Sequence, residues 1–159
     1  MEDLKLKAEL YRLALSCGFL TKKDVIDWAD NEIMISENPD ISIIELSLLG
    51  SKNVEEVISK LKEVTGNIDE EVTLKILLGL FYKEIIKNPN KIQVISTELY
   101  HLYLSVEIDN KEECYLWMMY LDDEFHLANN GTYGDVEEVK SRYIDFLKQY
   151  EGYAIDFPG

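Results

Sequence analysis

The chain is poor in residues that interrupt, cross-link or neutralise a polypeptide. Its 159 residues include two cysteines, three prolines and eight glycines. Cys17 and Cys114 lie far apart, each in an apolar stretch of helical period, and read as two buried thiols rather than a disulfide framework. The longest purely apolar run, Cys114 to Leu121, falls well short of the ~20 residues needed to span a bilayer. Met1-Glu2-Asp3-Leu4-Lys5 lacks the basic region and apolar core of a secretory signal, so the expected location is a reducing cytoplasm, with no membrane partner. Bases are scarce as well. Sixteen Lys and Arg face 31 Asp and Glu, a formal net charge of −15 at pH 7. Binding a phosphate backbone requires clustered cations that release counterions, so the balance argues against a nucleic-acid-binding module.

Motifs of catalysis are missing too. There is no Gly-x-Ser-x-Gly, and neither cysteine sits in a catalytic signature. Gly131-Thr132-Tyr133-Gly134-Asp135 lacks the Lys and preceding strand of a phosphate loop, and the acids that follow it would repel an anion. Nothing singles out two of 31 acids as a glycosidase-type pair. The expectation is a protein that is not an enzyme and needs no cofactor.

What the chain does have is core-forming material. Apolar residues make up 47% and aromatics 11%, so the acidity does not imply disorder, and the length suits one domain over residues 1–159. Prolines and glycines fall between segments of helical period, which predicts an all-α fold of seven to eight short helices in one compact domain, an irregular bundle or stacked helical hairpins. Leu6, Leu10, Leu13 and Ala14 mark one stripe of a helix over Glu2 to Cys17, with Gly18 as its left-handed cap. Thr21 and Asp24 open a second helix containing Val25 and Trp28. Further helices are expected over Ile41 to Leu49, from Ser51 or Asn53 to Gly66, from Asp69 to Asn88, and over Ile92 to Val106, Lys111 to Ala128 and Val136 to Tyr150. The tail from Gly152 carries enough apolar groups to dock. No repeat of fixed period is present.

Two patterns carry functional content. Glu98 with His101, and Asp123 with His126, each place an acid and a histidine one helical turn apart, as di-iron bundles do. Such a site needs two more carboxylates from two other long helices, and Asp123 replaces the usual Glu. A metal-dependent helical enzyme is therefore an alternative, as is a helical adaptor or scaffold. The stronger pattern is charge. From Glu107 to Gly159 there are 13 acids and 4 bases, and eight of the ten tyrosines occur at or after Tyr100. Tyrosine among charges is the composition of specific protein contacts. Asp122-Asp123-Glu124 toward the end of one helix and Asp135, Glu137 and Glu138 at the start of the next are expected to converge on one edge, with Tyr120 and Tyr133. Acids at a helix start complement its dipole, whereas those toward a helix end call for another explanation.

The stretches Gly18-Phe19-Leu20-Thr21-Lys22-Lys23-Asp24-Val25-Ile26-Asp27-Trp28-Ala29, Tyr120-Leu121-Asp122-Asp123-Glu124-Phe125 and Tyr133-Gly134-Asp135-Val136-Glu137-Glu138-Val139 resemble the bacterial immunity proteins of polymorphic toxin and contact-dependent growth inhibition systems. The resemblance implies a non-enzymatic inhibitor that covers the active site or substrate groove of a cognate toxin domain, often a cationic nuclease. On that expectation, charge reversal at Asp122 and Glu124 slows association and weakens its salt dependence.

Overall fold

Helix boundaries fall where local capping chemistry puts them. The computed structural model describes residues 4–106, 113–131 and 134–157, excluding the side chains of 113–117. Helix α1 (Leu4–Cys17) stops at Gly18, whose φ of 89° is the left-handed conformation that glycine adopts without strain. Helix α2 (Lys22–Ile35) opens on a full capping box: the Thr21 hydroxyl accepts from the Asp24 backbone N–H, and the Asp24 carboxylate accepts from the Thr21 N–H at 2.8 Å. Asp40 caps α3 (Ile41–Ser47), Asn53 caps α4 (Val54–Lys62) and Asp135 caps α8 (Val136–Lys148), each accepting a backbone N–H of the first turn. Glu70 and Glu71 place negative charge in the first turn of α5 (Glu70–Lys87). Pro89 begins a short 3-10 turn that leads into α6 (Ile92–Ser105), α7 spans Glu113–Asn129, and a second 3-10 turn, Glu151–Tyr153, follows α8. The fold is all-α, with eight α-helices and no strand among the described residues.

The helical domain expected over residues 1–159 gathers into two compact units, 1–69 with 156–159, and 70–155. In the first, α1 packs on α2 and α4, and α3 on α2 and α4. Its core joins Ala8, Tyr11, Leu15, Val25, Trp28, Ile43, Leu46, Val57 and Leu61. The Tyr11 ring stacks on Trp28 at 4.5 Å and meets Phe157 at 4.7 Å, so the tail does dock, as its apolar groups suggested. Burial pushes the Tyr11 phenol up to about 12, with Asp24 and Glu32 adding to the effect. The Trp28 indole N–H is buried with no acceptor among the described residues.

One local expectation changes. Helix α1 is not buried along one stripe. It is buried on most sides and carries a charged pair inside: Arg12 donates to Glu9 at 2.7 Å, and both are nearly enclosed. Burial raises the Glu9 pKa, but hydrogen bonds from Arg12 and Lys5 outweigh it and hold the carboxylate below its ordinary range. Helix α3 buries only Ile43 and Leu46 and leaves Ile41, Ile44 and its C-cap residue Leu48 largely in solvent. Helix α7 ends at Asn129, one residue beyond the expected Ala128, and Asp122 and Asp123 lie in its second half.

In the second unit, α5 packs on α6, α8 and the 151–153 turn, while α7 lies against both α6 and α8. Gly79 of α5 sits where a Cβ would collide with the Tyr150 carbonyl oxygen and lie 2.9 Å from the Ala154 nitrogen. That close approach of backbone to backbone requires glycine. Met118, Leu121 and Phe125 of α7 are buried, and Phe125 meets Tyr143 of α8 edge-on at 6.4 Å. Cys17 is a buried thiol whose Sγ donates to the Ala14 carbonyl at 3.5 Å; the Cys114 side chain is outside the described residues.

Candidate partner-binding surface

The acid-rich segments of α7 and α8 do meet. Packing of the two helices brings Glu124 against Arg142, and the same guanidinium donates to Glu138, one turn back on α8, at 3.0 Å. Glu124, Gly134, Asp135, Glu138, Val139 and Arg142 line one open cleft. Asp135 spends its carboxylate on capping, accepting from the Glu137 N–H at 3.0 Å. Glu137 is exposed beside Lys140 at 3.4 Å. Asp123 is exposed with no ion-pair partner among the described residues, and Tyr120 is 43% exposed on the same helix. Tyr133 lies outside the described residues.

Asp122 behaves differently. It is only 9% exposed, and the fully buried Ser96 hydroxyl of α6 donates to it at 2.6 Å. His126, one turn on and half exposed, brings Nε2 to 3.3 Å from the same carboxylate oxygen. The Tyr143 hydroxyl is buried nearby without a well-formed hydrogen bond among the described residues. Burial drives that phenol far above its usual range, Ser96 opposing the shift and Asp122 adding to it. An acid toward the end of a predicted helix called for an explanation, and the tertiary structure supplies one: Asp122 satisfies a buried hydroxyl and ties α6 to α7. Its commitment to Ser96 sets it apart from the more exposed acids that follow it in the chain, and a charge reversal there would also strand that hydroxyl.

The edge that remains has five carboxylates, Asp123, Glu124, Asp135, Glu137 and Glu138, with Arg142 and Lys140 set among them. Sequence reading passed over both bases. Their links to Glu138 and Glu137 are i,i+4 and i,i+3 pairs and so were legible, whereas the link from Arg142 to Glu124 spans 18 residues.

The other constellation does not assemble. Among the described residues no group of three or more His, Cys, Asp or Glu is placed to hold a metal ion. His126 neighbours Asp122 rather than Asp123, and His101 is exposed. Glu98 is half-buried on α6, where burial pushes its pKa up to about 7, Lys91 pulling it down and Glu84 adding to the rise. No helix among the described residues is long and apolar enough to cross a membrane. No known family model, curated protein or solved structure matches the chain.

Proposed function

We propose that this chain binds and neutralises a cationic protein partner, in the manner of the bacterial immunity proteins it resembles. The partner in this reading is a cognate, nuclease-type toxin domain, and the α7–α8 edge covers its active site or substrate groove. The observation that supports the reading is the convergence of Glu124 and Glu138 on one arginine, which gathers acids from two helices into a single cleft. Carboxylates fixed in this way lose little conformational freedom on binding. A net charge of −15 steers a basic partner inward from a distance, and Tyr120 offers an aromatic contact that charge alone does not provide. The chain acts as an inhibitor in the cytoplasm and catalyses nothing.

The test is growth rescue. Toxin-like domains encoded beside this gene are expressed alone and with this chain, and rescue accompanied by a stable complex is expected. Absence of rescue by any such domain overturns the function. With a rescuing pair in hand, Asp123→Lys together with Glu137→Lys slows association about tenfold or more at low salt and flattens its salt dependence. An unchanged association rate moves the contact away from the α7–α8 edge.

A further inference from the structure

The second unit begins at Glu70, the first residue of α5, and its last residues pack back on that same helix. The Tyr153 ring centroid lies 5.5 Å from the Lys75 Nζ, and Ala154 rests so close to Gly79 that a Cβ there would crowd its backbone. Entry and exit are therefore separated by about the Glu70 to Gly79 stretch of one helix, ~14 Å.

Beyond this seat the chain is extended, with φ −65° and ψ 134° at Ala154, and Ile155 and Asp156 are exposed. Phe157 is then fixed again, now in the first unit. It packs on that unit's core, its ring 4.7 Å from Tyr11, which stacks on Trp28 at 4.5 Å. Ala154 to Phe157 is thus held at its two ends and bare between them, and two intervening residues leave little slack to absorb a shift at either end. The first unit is discontinuous as a result: residues 1–69 are completed by a side chain that follows the whole of the second unit. Docking Phe157 with the second unit unfolded closes a loop over all of 70–155, whereas the folded unit already holds its exit near its entry. Loop closure weakens with about the 3/2 power of length, so a folded second unit favours docking by about tenfold or more.

We infer that Ala154 to Phe157 is a strap through which the second unit controls packing in the first: while Ala154 is seated on Gly79, Phe157 is held on the Tyr11–Trp28 pair, and unseating either end loosens the other. Such coupling is reciprocal. It uses no residue of the α7–α8 edge and stands apart from the toxin reading, which the rescue assay tests separately.

Amide and indole resonances of the isotope-labelled full chain read both ends. Phe157→Ala removes the anchor in the first unit and sets the resonance positions of Tyr11 and the Trp28 indole N–H with the strap released. In the second unit, the Tyr153 and Ala154 amides donate to the Tyr150 and Glu151 carbonyls at 3.0 and 3.2 Å. Phe157→Ala is expected to speed their hydrogen exchange about fivefold or more. Gly79→Ala, which brings a Cβ against Ala154, moves Tyr11 and Trp28 toward the Phe157→Ala positions although it lies in the other unit. Ser96→Ala destabilises the second unit away from the seat and leaves those resonances in place. Unchanged exchange at Tyr153 and Ala154 in Phe157→Ala overturns the inference. So does a folded Gly79→Ala with Tyr11 and Trp28 at their parent positions, and so does an equal shift from Ser96→Ala, which would reduce the effect to general loosening. If Gly79→Ala does not fold, the exchange measurement on Phe157→Ala decides alone.

Discussion

Asp122→Ala separates a structural carboxylate from a partner-facing one. The Ser96 hydroxyl is fully buried and donates to Asp122 at 2.6 Å, a charge-assisted bond joining α6 to α7. Hydrogen bonds to charged groups contribute about 1.5–3 kcal/mol, and a buried hydroxyl left without an acceptor costs a comparable amount. The neighbouring His126 is half exposed and contributes only at the scale of a surface pair. Asp122→Ala is therefore expected to destabilise the chain by about 2–3 kcal/mol and Ser96→Ala by about 2 kcal/mol. Because both remove the same interaction, the double variant should lose about 1–2 kcal/mol less than the sum of the singles. Asp122→Asn keeps an acceptor of the same shape and should lose roughly 1 kcal/mol. Urea unfolding followed by far-UV circular dichroism measures all four variants. A loss below about 0.5 kcal/mol for Asp122→Ala, or strict additivity of the pair, would falsify the structural assignment.

Three further expectations follow from local geometry. Gly→Ala in a helix interior ordinarily stabilises by about 1 kcal/mol, but the Cβ of Gly79→Ala would strike the backbone of Tyr150 and Ala154. The expected outcome is a loss of about 1–3 kcal/mol, and a raised Tm would show that the 151–153 turn yields freely. Glu98 has a pKa raised from 4.5 to about 7 in the folded chain, so it holds its proton more tightly folded than unfolded. Its contribution is fully present below about pH 4.5 and is lost as pH rises to 7. Glu98→Gln should accordingly gain stability relative to the parent across that window, and parallel pH profiles would count against the burial of this carboxylate. Thr21→Ala removes half of the α2 capping box and should cost about 1 kcal/mol in thermal unfolding, against no change if α2 is held by packing alone.

The helix ends were legible because the groups that make them are sequence neighbours. Thr21 with Asp24, Asp40, Asn53 and Asp135 each satisfy backbone N–H groups within three residues, and Gly18 needs only its own φ. The run Asp122-Asp123-Glu124 shows where such reading stops. Three adjacent acids look alike in sequence, yet one is buried against Ser96, one is exposed with no ion-pair partner among the described residues, and one is tied to Arg142. The same limit applies to α3, where Ile41, Ile43, Ile44 and Leu46 do not by themselves say which face meets the core.

By itself, then, the sequence determined an all-helical chain, most of its boundaries, its acidity and the segments in which acids and tyrosines concentrate. All of these depend on composition or on contacts within about four residues, which helix geometry specifies wherever a helix forms. Tertiary structure decided which carboxylates are tied into the fold and which apolar residues stay outside. Those outcomes depend on neighbours 18 and 26 residues away, whose proximity is set by helix packing rather than by helix pitch.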